Sequence, residues 1–290
     1  MERKHLTLSC GDKSITLLGS IGEQAETGLL FSSLDGWYST PQTKVDSTEY
    51  ETANGAPQVT DDDVHYAART VTIGVSVRGS NRDAVRSSIE SILGFAQKVI
   101  TITVSDANAE TYATGYVAYT SDAHMDSSGA TGSLVIVCND PQRYSTKQSV
   151  GTIVPTNLDG GGLVFNATTH ALMWPLSFGA GAIRTGNSCT IYNNGTIPAD
   201  ITITASGYMP EGFALTNLAT GKQLVYGGIV TYQPVTLDVF DGTAFIAGVD
   251  VSRNIGSWDF SGVPAGGSCS FSLQASGTGT VQVSCRDTYV

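Results

Sequence analysis

Charge is scarce in this chain. Asp, Glu, Lys and Arg make up 14% of its 290 residues, against about 25% in an ordinary soluble domain. The charge present leans one way: 15 Lys and Arg stand against 26 Asp and Glu, a formal net charge of −11. Affinity for nucleic acid comes largely from basic side chains that neutralise phosphates, so this shortage excludes a sequence-specific grip on DNA or RNA. An acidic surface lets a polyanion slide past, and it also aids solubility. Long apolar runs are missing too. The longest, such as Leu134–Cys138 (LVIVC), have strand length, far below the roughly 18 residues of a spanning helix, so no membrane insertion is expected. The opening MERKHLTLSCGDKS carries charges with no apolar stretch behind them, which is not the pattern of a secretory signal.

The motifs of catalysis and cofactor binding are also lacking. His5, His65, His124 and His170 are scattered, with no HExxH and no CxxC, so no metal site is expected. DDDVH at Asp61–His65 lacks the spaced carboxylates, central Gly and terminal Glu of a calcium loop, and reads as a solvated acidic loop. No Ser lies in GxSxG and no phosphate-binding loop is present. GAGAIRTG has Gly-x-Gly without a strand–helix unit around it, which leaves a dinucleotide site without support. Asp238, Asp241, Asp250 and Asp259 lie near turns, but spacing alone does not bring two carboxylates to one cleft as a glycosidase requires. Hence no catalytic, cofactor-binding or metal residue is assigned, no cofactor is implied, and the chain is not expected to be an enzyme. The five cysteines, Cys10, Cys138, Cys189, Cys269 and Cys285, are odd in number and fit no disulfide framework. Cys269 is in phase with Phe271 and Leu273, and Cys285 with Val281 and Val283, as small core residues would be; a Cys269–Cys285 bridge between neighbouring strands is the disfavoured alternative in a reducing compartment.

What the chain has is strand patterning. With 290 residues, 33 of them Gly, it is long enough for two β-domains of about 100 residues each and a connector. HLTLSC and SITLL flank a Gly-Asp turn. The segment from Gly19 to Pro57 is irregular and long for a loop, which points to function or to short strands hidden in it. In ARTVTIGVSVRG, Val71, Ile73, Val75 and Val77 share one face while Thr70, Thr72 and Ser76 share the other. One helix follows in SNRDAVRSSIESILGF. Ser80 is placed to cap it with Asp83 three residues on, and Val85, Ile89, Ile92 and Leu93 form its apolar stripe. Arg86 can pair with Glu90, and Gly94 suits the exit. KVITITVSD, TYATGYVAYTSD and TGSLVIVCNDP read as three further strands. The first domain is then a β-sandwich or curled sheet with one packed helix.

From Ser145 to about His170 the chain is rich in Gly, Ser and Thr and reads as a connector, with room for one short strand at GLVFNA. Beyond Leu172 the pattern is all β. In NNGTIPADITITASG, Ile197, Ala199, Ile201, Ile203 and Ala205 alternate with polar residues after an Asn-Gly turn. Hairpin signals fall at Thr-Gly-Lys after Ala219 and at Asp241-Gly242, and SCSFSLQASGTGTVQVSC gives two closing strands around a Gly-rich turn. This is a jelly-roll or related sandwich. Trp174, Trp258, Tyr208, Tyr226 and Tyr232 are its candidate aromatic platforms for sugar, although a Trp such as Trp258 in GSWDF more often plugs a sandwich end. Asn166 and Asn194 match glycosylation sequons that mean little without a signal peptide.

The order of these elements resembles the siphophage distal tail protein (Dit) family, particularly minor tail proteins of phages of actinobacteria. The strand–helix unit ARTVTIGVSVRGSNRDAVRSSIESIL and the closing VIVCNDPQRYS carry the resemblance in the first half. YNNGTIPADITITASG, TNLATGKQL and VQVSCRDTYV carry it in the second. The sequence departs from the family pattern over Gly19–Pro57. The resemblance implies a mostly β chain with an N-terminal belt-type sandwich with one helix (1–145), a connector (146–171) and a C-terminal galectin-like or jelly-roll sandwich (172–290). It further implies a homo-hexameric ring at the virion tail tip, assembled in the host cytoplasm. The ring would join the tail tube protein to the tail hub or tail-associated lysin and enclose the tape-measure protein. The early strands and the irregular arm would offer edges to a neighbour. The alternative reading is a carbohydrate-binding adhesin that recognises a host surface glycan through the C-terminal sandwich.

Overall fold

The structure is a computed structural model that describes residues 4–19, 28–45, 48–60, 64–107, 109–120, 124–125, 129–155, 162–163, 178–179, 187–258 and 261–290. The chain divides into two compact units, Met1–Lys147 with Thr288–Val290, and Gln148–Asp287.

Unit 1 is built on strands β1 (His5–Cys10), β2 (Lys13–Gly19), β3 (Gly28–Asp35), β4 (Thr43–Lys44), β5 (His65–Tyr66), β6 (Arg69–Arg78), β7 (Val99–Asp106), β8 (Ala109–Thr120), β9 (His124–Met125), β10 (Gly129–Cys138) and the first part of β11 (Arg143–Ile153). The neighbour order β8-β7-β1-β2-β3-β6-β10 returns to its start because β10 also pairs with β8, through Leu134↔Thr120 and Val137↔Tyr116. Seven strands thus close on themselves. Of the sandwich and the curled sheet that the sequence leaves open, the pairing gives the curled sheet, carried to closure. The interior is filled by the alternating residues expected: Val71, Ile73, Val75 and Val77 from β6, Ile100, Ile102 and Val104 from β7, Leu134 and Ile136 from β10.

The irregular stretch does hide strands, as one of its two readings allows: Gly28–Asp35 is a full barrel strand and Thr43–Lys44 a short one. The alternation of β3 is broken by a bulge, because the register against β6 shifts between Phe31 and Ser33, so Leu30 and Phe31 are buried in succession. β1 is not a free edge, since it pairs with β2 on one side and β7 on the other. β2 meets β3 only at Leu18↔Leu30 and Gly19↔Phe31. Among the described residues, Lys13–Leu17 therefore keep one side without a strand partner.

The helix α1 (Arg82–Leu93) packs on β6 and β10. Its cap is Asn81, one residue beyond the Ser80 expected. The Asn81 side chain accepts from the Ala84 N–H at 2.9 Å from an extended backbone conformation, as capping requires. Gly94 ends the helix with a right-handed φ of −62°, so the exit does not use a left-handed glycine. Val85 and Ile92 are buried, and Phe95 joins them just past the helix. Ile89 is half-buried and Leu93 is 47% exposed, so the packed stripe is narrower than the periodicity suggests. The Arg86–Glu90 pair forms at 2.8 Å on the solvent face.

Unit 2 comprises the rest of β11, then β12 (Gly162–Leu163), β13 (Phe178–Gly179), β14 (Ser188–Asn193), β15 (Ile201–Ser206), β16 (Phe213–Asn217), β17 (Gln223–Tyr226), β18 (Val235–Asp238), β19 (Thr243–Ile246), β20 (Val249–Asp250), β21 (Ile255–Trp258), β22 (Gly267–Ala275) and β23 (Thr280–Tyr289), whose last residues return to unit 1. One sheet runs β20-β19-β18-β15-β23 and the other β14-β22-β16-β17-β21. Both turn apolar faces to one core: Ile201, Ile203, Leu237 and Val283 from the first, Ile191, Leu215, Phe271 and Leu273 from the second. This is a two-layer sandwich.

Three sequence expectations shift. Arg143–Ile153 is a strand where a connector was expected from Ser145, and Ile153 is fully buried in the unit 2 core. Most of residues 156–171 lies outside the described residues; within the expected strand at GLVFNA, Gly162–Leu163 pairs with Phe178–Gly179. The strand after the Asn-Gly turn begins at Ile201, with Ala199 bridged to Val263 and Ile197 half-buried ahead of it. The closing strands β22 and β23 lie in opposite sheets rather than side by side. Cys269 and Cys285 consequently face the core from different layers, and all five thiols are free.

Candidate functional site

The structure places the sequence candidates for chemistry on turns rather than in a cleft. Asp238 accepts hydrogen bonds from the Phe240 and Asp241 N–H groups at 2.9 and 3.2 Å. Asp250 accepts from the Ser252 N–H and hydroxyl, and these bonds hold its carboxyl below the usual range. Both are turn-forming carboxylates. Asp259, Asp61–Asp63, Trp174, Asn166 and His170 lie outside the described residues. His5 sits on β1 and His65 on β5, and His124 belongs to β9. Among the described residues no three His, Cys, Asp or Glu gather as metal ligands, and no helix is long and apolar enough to cross a membrane. Asn194 of the second sequon is tied to Asp287, which accepts from its N–H at 2.8 Å.

The turn before β15 has its own lock. Asn193 is fully buried. Its amide donates to the Ile197, Val263 and Pro264 carbonyls at 2.8–3.3 Å, and its oxygen accepts from Gly195 N–H at 2.8 Å. The opening Asn-Gly signal is thus structural.

The aromatic platforms are dispersed in use. Tyr226 is buried, whereas Tyr208 and Tyr232 are exposed. Trp258, at the end of edge strand β21, lies against Gly242 in the β18–β19 hairpin of the opposite sheet. A Cβ on Gly242 would fall 1.2 Å from the Trp258 ring, and its φ is +66°. Trp258 therefore rests one part of its ring on the hairpin and stays 40% exposed, so it is not a buried plug of the sandwich end. Gly242→Ala should cost about 2 kcal/mol from left-handed strain and the displaced indole, and should expose further the Trp258 ring, which is already 40% exposed. A denaturant titration with a red-shifted tryptophan emission would confirm it; unchanged emission and stability would contradict the packing.

A polar cluster in unit 1 was not signalled by any motif. Arg69, the first residue of β6, is 1% exposed. Its Nε donates to the Pro141 carbonyl at 2.8 Å. Its Nη1 donates to the carbonyls of Gly36, Trp37 and Ser39 at 2.6, 3.2 and 2.8 Å. The turn after β3 is thereby wrapped around one guanidinium. Trp37 is fully buried beside it. Arg143, 8% exposed, stands 5.6 Å from the Trp37 and Tyr38 ring centroids and 5.8 Å from that of Tyr289, and its Nη2 donates to the Val290 oxygen at 3.2 Å. Tyr38 donates its hydroxyl to Asp106 at 2.9 Å, and Lys4 lies 3.5 Å from the same carboxylate and over the Tyr38 ring. Burial raises the Tyr38 pKa, opposed by Lys4; burial opposes a net rise at Lys4 that Tyr38 and Asp106 produce. Both groups hold their protons more tightly in the folded state. Their contribution is therefore complete at neutral pH and is lost only as pH climbs past about 10. An alkaline tyrosine absorbance titration should show one late-ionising component that Asp106→Asn alters.

No family model and no curated protein matches the sequence. Comparison with solved structures is more informative. The chain resembles the crystal structure of the SPP1 Dit (gp 19.1) protein, described as a paradigm of the hub adsorption apparatus in phages infecting Gram-positive bacteria. The TM-score is 0.58 at 14% identity, over 91% of this chain and 94% of that one. It also resembles a chain of the phage P2 baseplate in its activated conformation with Ca, with a TM-score of 0.52 at 8% identity over 99% of this chain and 98% of that one. A chain of the phage p2 baseplate with Sr gives 0.51 at 9% identity, over 97% of both chains. The fold is that of a phage distal tail protein.

The distal-tail-protein fold extends through both units, and its cysteines are packing residues. Burial pushes the Cys138, Cys189 and Cys285 thiols up to about 11, and raises Cys269 as well. Thiolates are the reactive species. A thiol reagent at pH 8 should therefore leave Cys138, Cys269 and Cys285 unmodified until denaturant is added. Rapid native labelling of all five would contradict the burial.

Proposed function

We propose that this chain is a structural component of a phage tail tip, a ring-forming protein and not an enzyme. One observation carries the reading: the match to the SPP1 Dit protein and to baseplate chains covers nearly the whole of both partners, so the likeness is not confined to one part of the chain. In this reading residues 1–145 form the belt-type domain and build a homo-hexameric ring. Residues 146–171 connect it to a galectin-like domain, 172–290, that projects outward. The ring links the tail tube protein to the hub or tail-associated lysin and encloses the tape-measure protein and then the DNA. The scarcity of basic residues suits a channel that must not retain DNA. The open side of β2 at Lys13–Leu17 offers backbone groups to a neighbour's strand, while closure of the remaining barrel restricts where else pairing can occur. Virion localisation and assembly in the host bacterial cytoplasm follow from the same role.

Glycan recognition draws less from the structure: Tyr226 is buried, and Trp258, though 40% exposed, has part of its ring against Gly242. Light scattering on a sizing column, followed by negative-stain imaging, tests the ring. Six-fold particles of six times 30.3 kDa are expected. A monomer persisting at the highest soluble concentration would argue against a self-closing hexamer.

A further inference from the structure

Among the described residues no Asp or Glu side chain is hydrogen-bonded to the two buried arginines of unit 1; Arg143 Nη2 donates to an oxygen of Val290 at 3.2 Å, and Asp140 attracts Arg69 without bonding to it. Asp140 and Asp106 have other hydrogen-bond partners. Asp140 accepts from the Gln142 N–H at 2.9 Å and the Tyr144 hydroxyl at 2.7 Å, and Asp106 accepts from Tyr38 and pairs with Lys4. The backbone carbonyls that Arg69 gathers are dipoles. They satisfy its Nε and Nη1 but leave a full positive charge in a dry setting, a costly arrangement unless an anion is close.

Three side-chain nitrogens in this region are buried and have no acceptor: Trp37 Nε1, Arg69 Nη2 and Arg143 Nε. They belong to one neighbourhood. Arg69 holds the Trp37 carbonyl at 3.2 Å, and the Arg143 guanidinium lies 5.6 Å from the Trp37 ring centroid. All three are donors and none can accept. Buried polar atoms in native proteins are nearly always bonded, so three orphan donors around one residue, two of them on cations, specify the sign of the missing partner. A water molecule would satisfy hydrogen bonds and neutralise nothing. Burial and repulsion from Arg143 push Arg69 below its ordinary pKa, and the opposing pull of Cys138 and Asp140 does not cancel them.

We propose that the Trp37–Arg69–Arg143 cluster is an oxyanion site that takes a carboxylate or a small inorganic oxyanion, bound by Arg69 Nη2, Arg143 Nε and the Trp37 indole N–H. A guanidinium fork suits a planar carboxylate or a phosphate better than a spherical ion. The ligand comes from solution as a free anion or from a carboxylate on a second copy of this chain, and the chemistry at the three donors is the same.

The Trp37 indole N–H reports the site directly. The chain has three tryptophans, so protein labelled with ¹⁵N at the indoles gives three resonances, and Trp37→Phe identifies the one concerned. Formate and phosphate are titrated separately into ion-depleted full-length protein, with ionic strength held constant. A saturable shift confined to the Trp37 resonance is expected with at least one of them. In Arg69→Lys and Arg143→Lys, each of which keeps the charge but loses the fork, the midpoint should weaken roughly tenfold, the loss of one charge-assisted hydrogen bond. Dilution in ion-depleted buffer distinguishes the sources. A resonance that stays in place assigns the solution anion; a shift that follows dissociation assigns the second copy's carboxylate. No movement in either titration or on dilution, or a drift equal for all three indoles, overturns the proposal.

Discussion

Arg69→Met should lower the stability of unit 1 by about 3–5 kcal/mol. Two effects oppose each other. Removing a buried charge that lacks a carboxylate partner relieves a desolvation cost, and replacement of buried charges by apolar side chains is neutral or favourable in some proteins. Against it stand the carbonyls of Gly36, Trp37, Ser39 and Pro141, which lose their donor together. Met has no hydrogen to offer, and the turn after β3 has no other described donor for them. Several unsatisfied acceptors outweigh one relieved charge, so the loss wins. Urea unfolding followed by far-UV circular dichroism measures it. A change below about 1 kcal/mol would mean that water reaches these carbonyls and that Arg69 does not organise the turn.

Val85→Asp should be the most damaging single substitution in α1, with a loss of about 4 kcal/mol or more, enough to abolish soluble folding. Val85 is fully buried against the barrel with Val77 and Ile92. A carboxyl there meets no donor and must either stay charged in an apolar setting or detach the helix. Ile89→Asp should cost less, because Ile89 is half-buried and lines a shallow apolar pocket of about 50 Å³ with Val75, Val77 and Ile92. Leu93→Asp should be nearly neutral at 47% exposure. The order Val85, Ile89, Leu93 in soluble yield and in thermal midpoint tests the orientation of the helix. Equal effects at Val85 and Leu93 would contradict it.

These two sites also mark what could be read from residues alone. β6, β7 and β15 were legible because each keeps strict alternation from end to end, and a period of two has one interpretation. β3 was hidden because its bulge buries Leu30 and Phe31 side by side. The face of α1 was half legible: periodicity finds a stripe, but which flank of the stripe meets the sheet depends on where the barrel lies. The Gly-rich turn between β22 and β23 looked like a hairpin, yet the chain uses it to pass from one sheet to the other. The turn between β19 and β20 is hard to read from sequence for a different reason. It sits on Ala247 and Gly248, both at positive φ, and Ala is not a residue that announces such a turn. The Arg69 cluster did carry a signal. Arg69 is in phase with Val71, Ile73, Val75 and Val77, and a basic residue on the apolar face of a strand is a buried charge until shown otherwise. Its partners could not be foreseen, because they are main-chain carbonyls from two separate turns, one holding Trp37 and the other Pro141, which lie 32 and 72 residues from Arg69 in sequence.

The tail-tip role proposed for this chain gives it one place on a phage particle. An antibody raised against the purified protein, applied with gold to intact virions of the phage that encodes it, should label the distal end of the tail and nothing else. Label on the capsid, along the whole tail, or absent from particles that carry every other structural protein would contradict the account.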